Sequence, residues 1–174
     1  MRLYLVRHAT AVLRGTPGFP KDSRRPLTEE GRDEARRAAA ALRRMKISLD
    51  AVVSSPYLRA MQTAEILARE VEFREPIQEL DALRAEVEPR ETSISLKLLA
   101  DRDEVALVGH EPHLSAWIAE LVAEQGMRCV MKKGGIACIE IEQVPPPTGS
   151  GTLRWLLTPK QLALMAGRAA QAAA

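Results

Sequence analysis

Five short apolar runs, separated by longer stretches of helical periodicity, constrain this chain more than any other feature of its sequence. The runs are Leu3 to Val6, Ala51 to Val53, Val105 to Val108, Ile136 to Ile141 and Leu153 to Leu157. Apolarity over so few residues, broken only by Glu140 and Arg154, fits strands covered on both faces, as in a parallel sheet packed between helices;. Between the runs, Ala35, Ala38, Ala39, Leu42 and Met45 recur at helical spacing behind Thr28, an N-cap residue followed by Glu29 and Glu30;. A second helix is predicted after Ser55-Pro56, with the proline at the first helical position and Ala60, Met61, Ala64, Leu67 and Ala68 inward;. Its exposed first turn carries Arg59. A third follows Glu111-Pro112 and buries Leu114, Trp117, Ile118, Leu121 and Val122; a terminal one starts near Pro159;. The alternation predicts an α/β fold, a three-layer α/β/α sandwich with a mostly parallel central sheet. The alternating Ile139, Glu140, Ile141, Glu142 suggests a more exposed later strand, and Pro145 to Gly151 a loop;. No linker or repeat divides the chain, so residues 1–168 are read as one domain and 169–174 as a tail;.

Composition removes several function classes. With 25 Lys and Arg against 23 Asp and Glu, the net charge of +2 provides no general field for nucleic acid;. Aromatic residues, at 3%, are too few for a base-stacking platform;. No run of 18 apolar residues occurs, so no membrane span is predicted;. Cys129 and Cys138 form neither a disulfide framework nor a metal knuckle and read as core residues, and no signal-peptide pattern opens the chain; a cytoplasmic setting is expected;.

In open α/β sheets ligands bind beyond the carboxyl ends of strands. Three predicted strand ends carry unusual polar residues: Arg7-His8, Ser54 to Arg59, and Gly109-His110. Singly, each has a plain structural explanation, such as a histidine bonded to backbone or an arginine in an ion pair. Arg59 is the exception, because a cation at a helix N-terminus is repelled by the macrodipole and is better explained by an anionic ligand. Together the four residues Arg7, His8, Arg59 and His110 describe an anion pocket. Planar guanidinium forks and helix N–H groups suit a phosphoryl group, and a neutral imidazole beside it is a competent nucleophile. Nothing in this scheme calls for a metal or another cofactor. His110 and His113 straddle a proline without HExxH geometry, so His113 reads as a surface helix residue. No nucleotide P-loop or GxSxG elbow is present. Lys132 to Gly135 form a basic turn, either solvated or on the pocket rim.

LVRHA, SSPYLRAMQTAE and VGHEP, in this order and spacing, resemble the histidine phosphatase superfamily. RPLTEEG and GHEPHLSAWIAEL, with the short length, are similar to its SixA-type phosphohistidine phosphatase branch, over nearly the whole chain. The resemblance implies a phosphoglycerate-mutase-like fold. It implies that His8 is the transiently phosphorylated nucleophile, that Arg7, Arg59 and His110 bind the phosphoryl group, and that no metal takes part. Ala9 stands where many members have glycine, as is familiar in this branch. Glu79, Asp81, Glu86 and Asp22 are the carboxylates open to a general-acid role, among which the sequence does not choose, solvent exposure being the plainer explanation of each. The implied substrate is a phosphohistidine-bearing protein such as a histidine phosphotransfer domain. A phosphatase for a small phosphate ester or pyrophosphate is the alternative, and a noncatalytic phosphate-binding module a third.

Overall fold

The computed structural model describes residues 1–167; the expected tail, 169–174, lies outside the described residues. All five apolar runs are strands: β1 (Arg2–Arg7), β2 (Ala51–Ser54), β4 (Glu104–Gly109), β5 (Ile136–Glu140) and β6 (Thr152–Leu157), joined by a two-residue β3 (Gln78–Glu79). They form one sheet of order β3-β2-β4-β1-β5-β6. The first four strands of that order pair in parallel, whereas β5 runs antiparallel to both β1 and β6.

Alternate strand residues feed two separate cores, as the two-residue period of a strand requires. Tyr4, Val6, Val52, Ala106 and Val108 pack with α1 (Glu29–Arg44), α2 (Leu58–Glu70) and Leu162 of α5 (Pro159–Ala166). Leu3, Leu5, Val53, Val105 and Leu107 point the other way, against Leu96, Leu99 and Leu114, Trp117, Ile118 and Leu121 of α4 (His113–Val122). On that second side the short α3 (Pro89–Ser95) packs beside α4. The result is the expected three-layer sandwich. Among the described residues no helix is long and apolar enough to cross a membrane.

Local signals explain most helix starts. Thr28 caps α1, its Oγ1 accepting from Gly31 N–H at 3.0 Å while Glu29 and Glu30 fill the first turn;. Thr158 closes a capping box with Gln161 at α5;. Three expectations need correction. Pro56 precedes α2 rather than opening it: Ser55 N–H still bonds Val108 O at 2.9 Å, the chain bends at Pro56 and Tyr57, and the helix starts only at Leu58 behind an extended Tyr57. Arg59 is not on an exposed turn but is 4% exposed. The exposed strand is β6, on the sheet edge; β5 is buried through Ile139 because it is paired on both sides.

Candidate active site

The parallel register of β1 and β4 pairs Arg7 with Gly109, so the residues that follow, His8 and His110, emerge side by side. His8 N–H continues the ladder to Gly109 O at 3.0 Å. On its other flank Gly134 N–H donates to His8 O at 3.2 Å and Arg7 N–H to Gly135 O at 3.0 Å. β2 ends one step away and delivers Ser55, Tyr57 and, on the first turn of α2, Arg59. Because α1 and α4 leave toward opposite faces, these strand ends form the crevice where such sheets bind ligands;.

His8 Nδ1 lies 2.8 Å from Ala9 O. A carbonyl only accepts, so the proton sits on Nδ1 and Nε2 keeps its lone pair. Into that lone pair Arg59 Nε–H donates at 3.1 Å. Burial of the ring, with the charges of Arg59, Arg7 and Lys133, drives the His8 pKa down to about 3 against the pull of the Ala9 bond. His8 is thus a neutral, oriented imidazole.

His110 Nε2 is 2.8 Å from Ser55 Oγ, and its ring centroid is 5.0 Å from those of both His8 and Tyr57. Burial, then the neighbouring His8 and Arg59, lowers its pKa to about 2. Arg7 is anchored by a 2.6 Å bond from one terminal nitrogen to Met131 O. His110 Nδ1 and Arg7 Nε are both buried with no hydrogen-bond partner among the described residues. Orphaned polar atoms in a native site are ready to meet a ligand.

A cavity of about 430 Å³ opens over these groups, its wall holding Arg7, Arg14, Arg25, Arg59 and Lys133 against Asp22, Glu86 and Glu111. The cations are in surplus, which suits a polyanionic ligand. Each carboxylate is already engaged. Asp22 bonds Arg14, Arg25 and Arg59; Glu86 Oε1 accepts from Tyr57 O–H at 2.9 Å; Glu111 accepts from Ser115 N–H at 3.1 Å and from its hydroxyl at 2.7 Å. Burial alone would raise the Asp22 pKa, but bonds from Arg14 and Arg25 and the charge of Arg59 outweigh it and hold the group at about 2. Among the described residues no His, Cys, Asp or Glu cluster of three or more could hold a metal.

The model of the histidine phosphatase superfamily (branch 1) matches residues 3–92. The chain belongs to the histidine phosphatase superfamily. An uncharacterised protein of Picosynechococcus sp. is 34% identical over 146 residues, 78% of this chain and 82% of that one. The phosphohistidine phosphatase SixA of Escherichia coli K12 is 28% identical over 164 residues, 93% of this chain and 96% of its own. A solved structure of the protein histidine phosphatase SixA complexed with tungstate superposes with a TM-score of 0.82 at 28% identity, covering 93% of this chain and 99% of that one. The chain is therefore similar to the SixA-type branch of this superfamily of hydrolases.

The histidine phosphatase fold thus brings Arg7, His8, Arg59 and His110 to one cavity, as their strand ends suggested. Of the carboxylates considered as acids, Asp22 and Glu86 line that cavity, whereas Glu79 lies on a neighbouring one and Asp81 is exposed beside Arg84. Lys133 takes the rim position left open for its turn. His113 is not a surface residue: it is 2% exposed, with Nδ1 bonded to Val87 O at 2.7 Å and Nε2 3.0 Å from Thr92 Oγ1. α3 and the segment before it cover that turn of α4, a long-range packing no local pattern announces. Cys138 is buried, but Cys129 only half so. Sequence reasoning missed Ser55 and Tyr57 as the neighbours of His110; their only signal was their presence in the SSPYLR stretch.

Proposed function

We propose that this hydrolase is a metal-independent phosphohistidine phosphatase acting on a phosphorylated signalling or phosphotransfer protein, with His8 as nucleophile. One observation carries the reading: His8 lines a cation-rich cavity as a neutral ring, its tautomer set by the Ala9 carbonyl and its Nε2 lone pair held by Arg59 Nε–H. Arg7, Arg59 and His110 bind the phosphoryl oxygens. If Ser55 O–H donates to His110 Nε2, the proton of His110 sits on Nδ1, the atom without a partner, ready to donate to such an oxygen. Attack forms a P–Nε2 bond and breaks the bond from phosphorus to the leaving group; water then attacks the phosphoenzyme in line and returns neutral His8. Charge building on the equatorial oxygens meets donors already in position, the main lever in phosphoryl transfer.

The leaving group follows from the carboxylates. Asp22 is held ionised by guanidiniums, and carboxylate oxygens of Glu86 and Glu111 are already taken by hydrogen bonds from Tyr57 and Ser115. An alkoxide leaving from phosphorus needs a proton at the breaking bond, whereas an imidazole takes one at its far nitrogen from solvent. Engaged carboxylates therefore favour phosphohistidine over sugar phosphates. A histidine phosphotransfer domain is the partner of this chemistry, without nucleic acid or membrane, and a cytoplasmic setting accompanies it. The described residues act as one histidine phosphatase domain.

The test is single-turnover incubation with a phosphorylated histidine phosphotransfer domain beside a small aryl phosphate, in chelator, following phosphate release and acid-labile label on the enzyme. Rapid loss from the protein substrate through labelled His8 is expected. Faster attack on the aryl ester would move the protein to the small-molecule class. Full activity in His8→Ala would end the mechanism.

A further inference from the structure

Three guanidiniums converge on one carboxylate beside the nucleophile. Asp22 opens a short 3-10 turn, Asp22–Arg24, in the loop that follows β1. Its Oδ1 accepts from Arg14 Nε at 3.0 Å and from Arg25 Nε at 2.9 Å. Its Oδ2 is 3.1 Å from one terminal nitrogen of Arg59, and its backbone carbonyl accepts from the other at 2.9 Å. Arg25 in turn reaches back to Val12 O, tying the turn to the start of its own loop. Arg59 is thereby gripped along one edge by Asp22 while Nε–H, on its remaining side, donates to His8 Nε2.

We infer that Asp22 is a positioning residue, one that fixes Arg59 against His8 and weakens ground-state phosphate binding in doing so. This rests on the reading of His8 as nucleophile. Attack needs the Nε2 lone pair, so Arg59 Nε–H must move from His8 to a phosphoryl oxygen as the substrate arrives. A guanidinium held at its far edge makes that exchange by a small pivot; one held by Nε alone would swing freely with its long side chain. Asp22 is nevertheless an anion lining the cavity that takes an anion, and like charges repel;. Its two effects are therefore opposite in sign: repulsion acts on bound phosphate in every state, whereas alignment of Arg59 counts most in the transition state. Arg14 and Arg25 keep the carboxylate in place and leave the cluster net positive. Arg14, with a side chain 81% exposed, lends little beyond its bond, so Arg25 is the main brace.

Asp22→Asn separates the two effects, since it keeps the backbone carbonyl and a side-chain acceptor but removes the charge. In the full chain, inorganic phosphate binding followed by calorimetry should tighten several-fold. Turnover of the phosphorylated histidine phosphotransfer domain should fall on the order of 10- to 100-fold in kcat, the scale of a misaligned catalytic group. Asp22→Glu, which keeps the charge but displaces it, should slow turnover without tightening phosphate, and replaces Asp22→Asn if that variant fails to fold. Wild-type kcat in Asp22→Asn, or phosphate bound no more tightly, overturns the assignment. A wild type that traps no phosphate on His8 sinks the nucleophile reading instead, and the phosphate titration then decides the charge role of Asp22 on its own.

Discussion

Lowering the pH from 7 to 5 should leave His8, the proposed nucleophile, fully armed. An ordinary histidine with a pKa near 6.5 is about 76% neutral at pH 7 and about 3% at pH 5, a loss of roughly 25-fold in reactive base. His8, pushed down to about 3 by burial and by the charges of Arg59, Arg7 and Lys133, stays about 99% neutral at pH 5 and loses half only near pH 3;. The sign follows from the role: a base works when unprotonated, so a lowered pKa extends activity toward acid. Long-range 15N–1H NMR reports it directly, because the chain has only three histidines to assign. Across pH 5–8 the His8 signals should remain those of a neutral ring with its proton on Nδ1. Rapid-quench formation of the phosphoenzyme, corrected for ionisation of the substrate, should stay flat over the same range. An imidazolium signal from His8 above pH 5, or a rate that tracks one ionisation near 6.5, would refute the argument that desolvation sets the state of this ring.

The same burial makes the fold acid-sensitive. His8 and His110 have folded pKa values of about 3 and about 2, below the unfolded 6.5, so the unfolded chain binds protons first and stability falls as pH drops below about 6.5;. By pH 4.5 each histidine removes about 3 kcal/mol, and urea midpoints that do not move between pH 7 and 4.5 would contradict this. Arg59→Lys keeps a charge but cannot bond His8, the Asp22 carbonyl and Asp22 Oδ2 at once, and kcat should drop at least about 100-fold;. Activity within threefold of wild type would show that the fork geometry is not used. At Gly31 an added Cβ would lie 1.8 Å from Thr10 O, a backbone atom of the loop after His8. Gly31→Ala should therefore cost about 2 kcal/mol or more despite a helix-propensity gain of about 1 kcal/mol, and a variant with a raised melting temperature would overturn the clash.

The features legible in the sequence were those written in local periodicity. Leu3 to Val6 and Val105 to Val108 announced buried strands, and the polar residues just beyond them could only lie at the sheet's carboxyl edge;. Thr28 announced its cap. What stayed hidden depends on partners distant in the chain. β3 has two residues, too few to carry a pattern. His113 is covered by a helix more than twenty positions earlier, and its own neighbours in the sequence gave no hint of that contact. The burial of Arg59 needed Asp22, 37 residues before it, to neutralise a cation that helix electrostatics alone would have pushed outward;. Nothing local to Tyr57 reveals that its ring lies tilted against His110, centroid to centroid 5.0 Å.

Rigid and adaptable parts of this site are divided by how each residue is held. His8 is fixed through its backbone on both flanks, by Gly109 O and by Gly134 N–H, and Ala9 N–H is tied to Thr63 Oγ1 of α2 at 3.2 Å. Displacing His8 would require β1, β4 and α2 to move together, which a close-packed interior resists. Leu13, Arg14 and Lys133, by contrast, stand exposed on loops at the rim of the same cavity. In the proposed reaction such rim residues would meet whatever surrounds the phosphoryl group without touching the bond that breaks. On the proposed function, replacing Leu13, exposed and outside the Asp22–Arg59 cluster, should alter which phosphorylated surface is accepted while the rate of attack at phosphorus, set by the strand ends, stays where it is;.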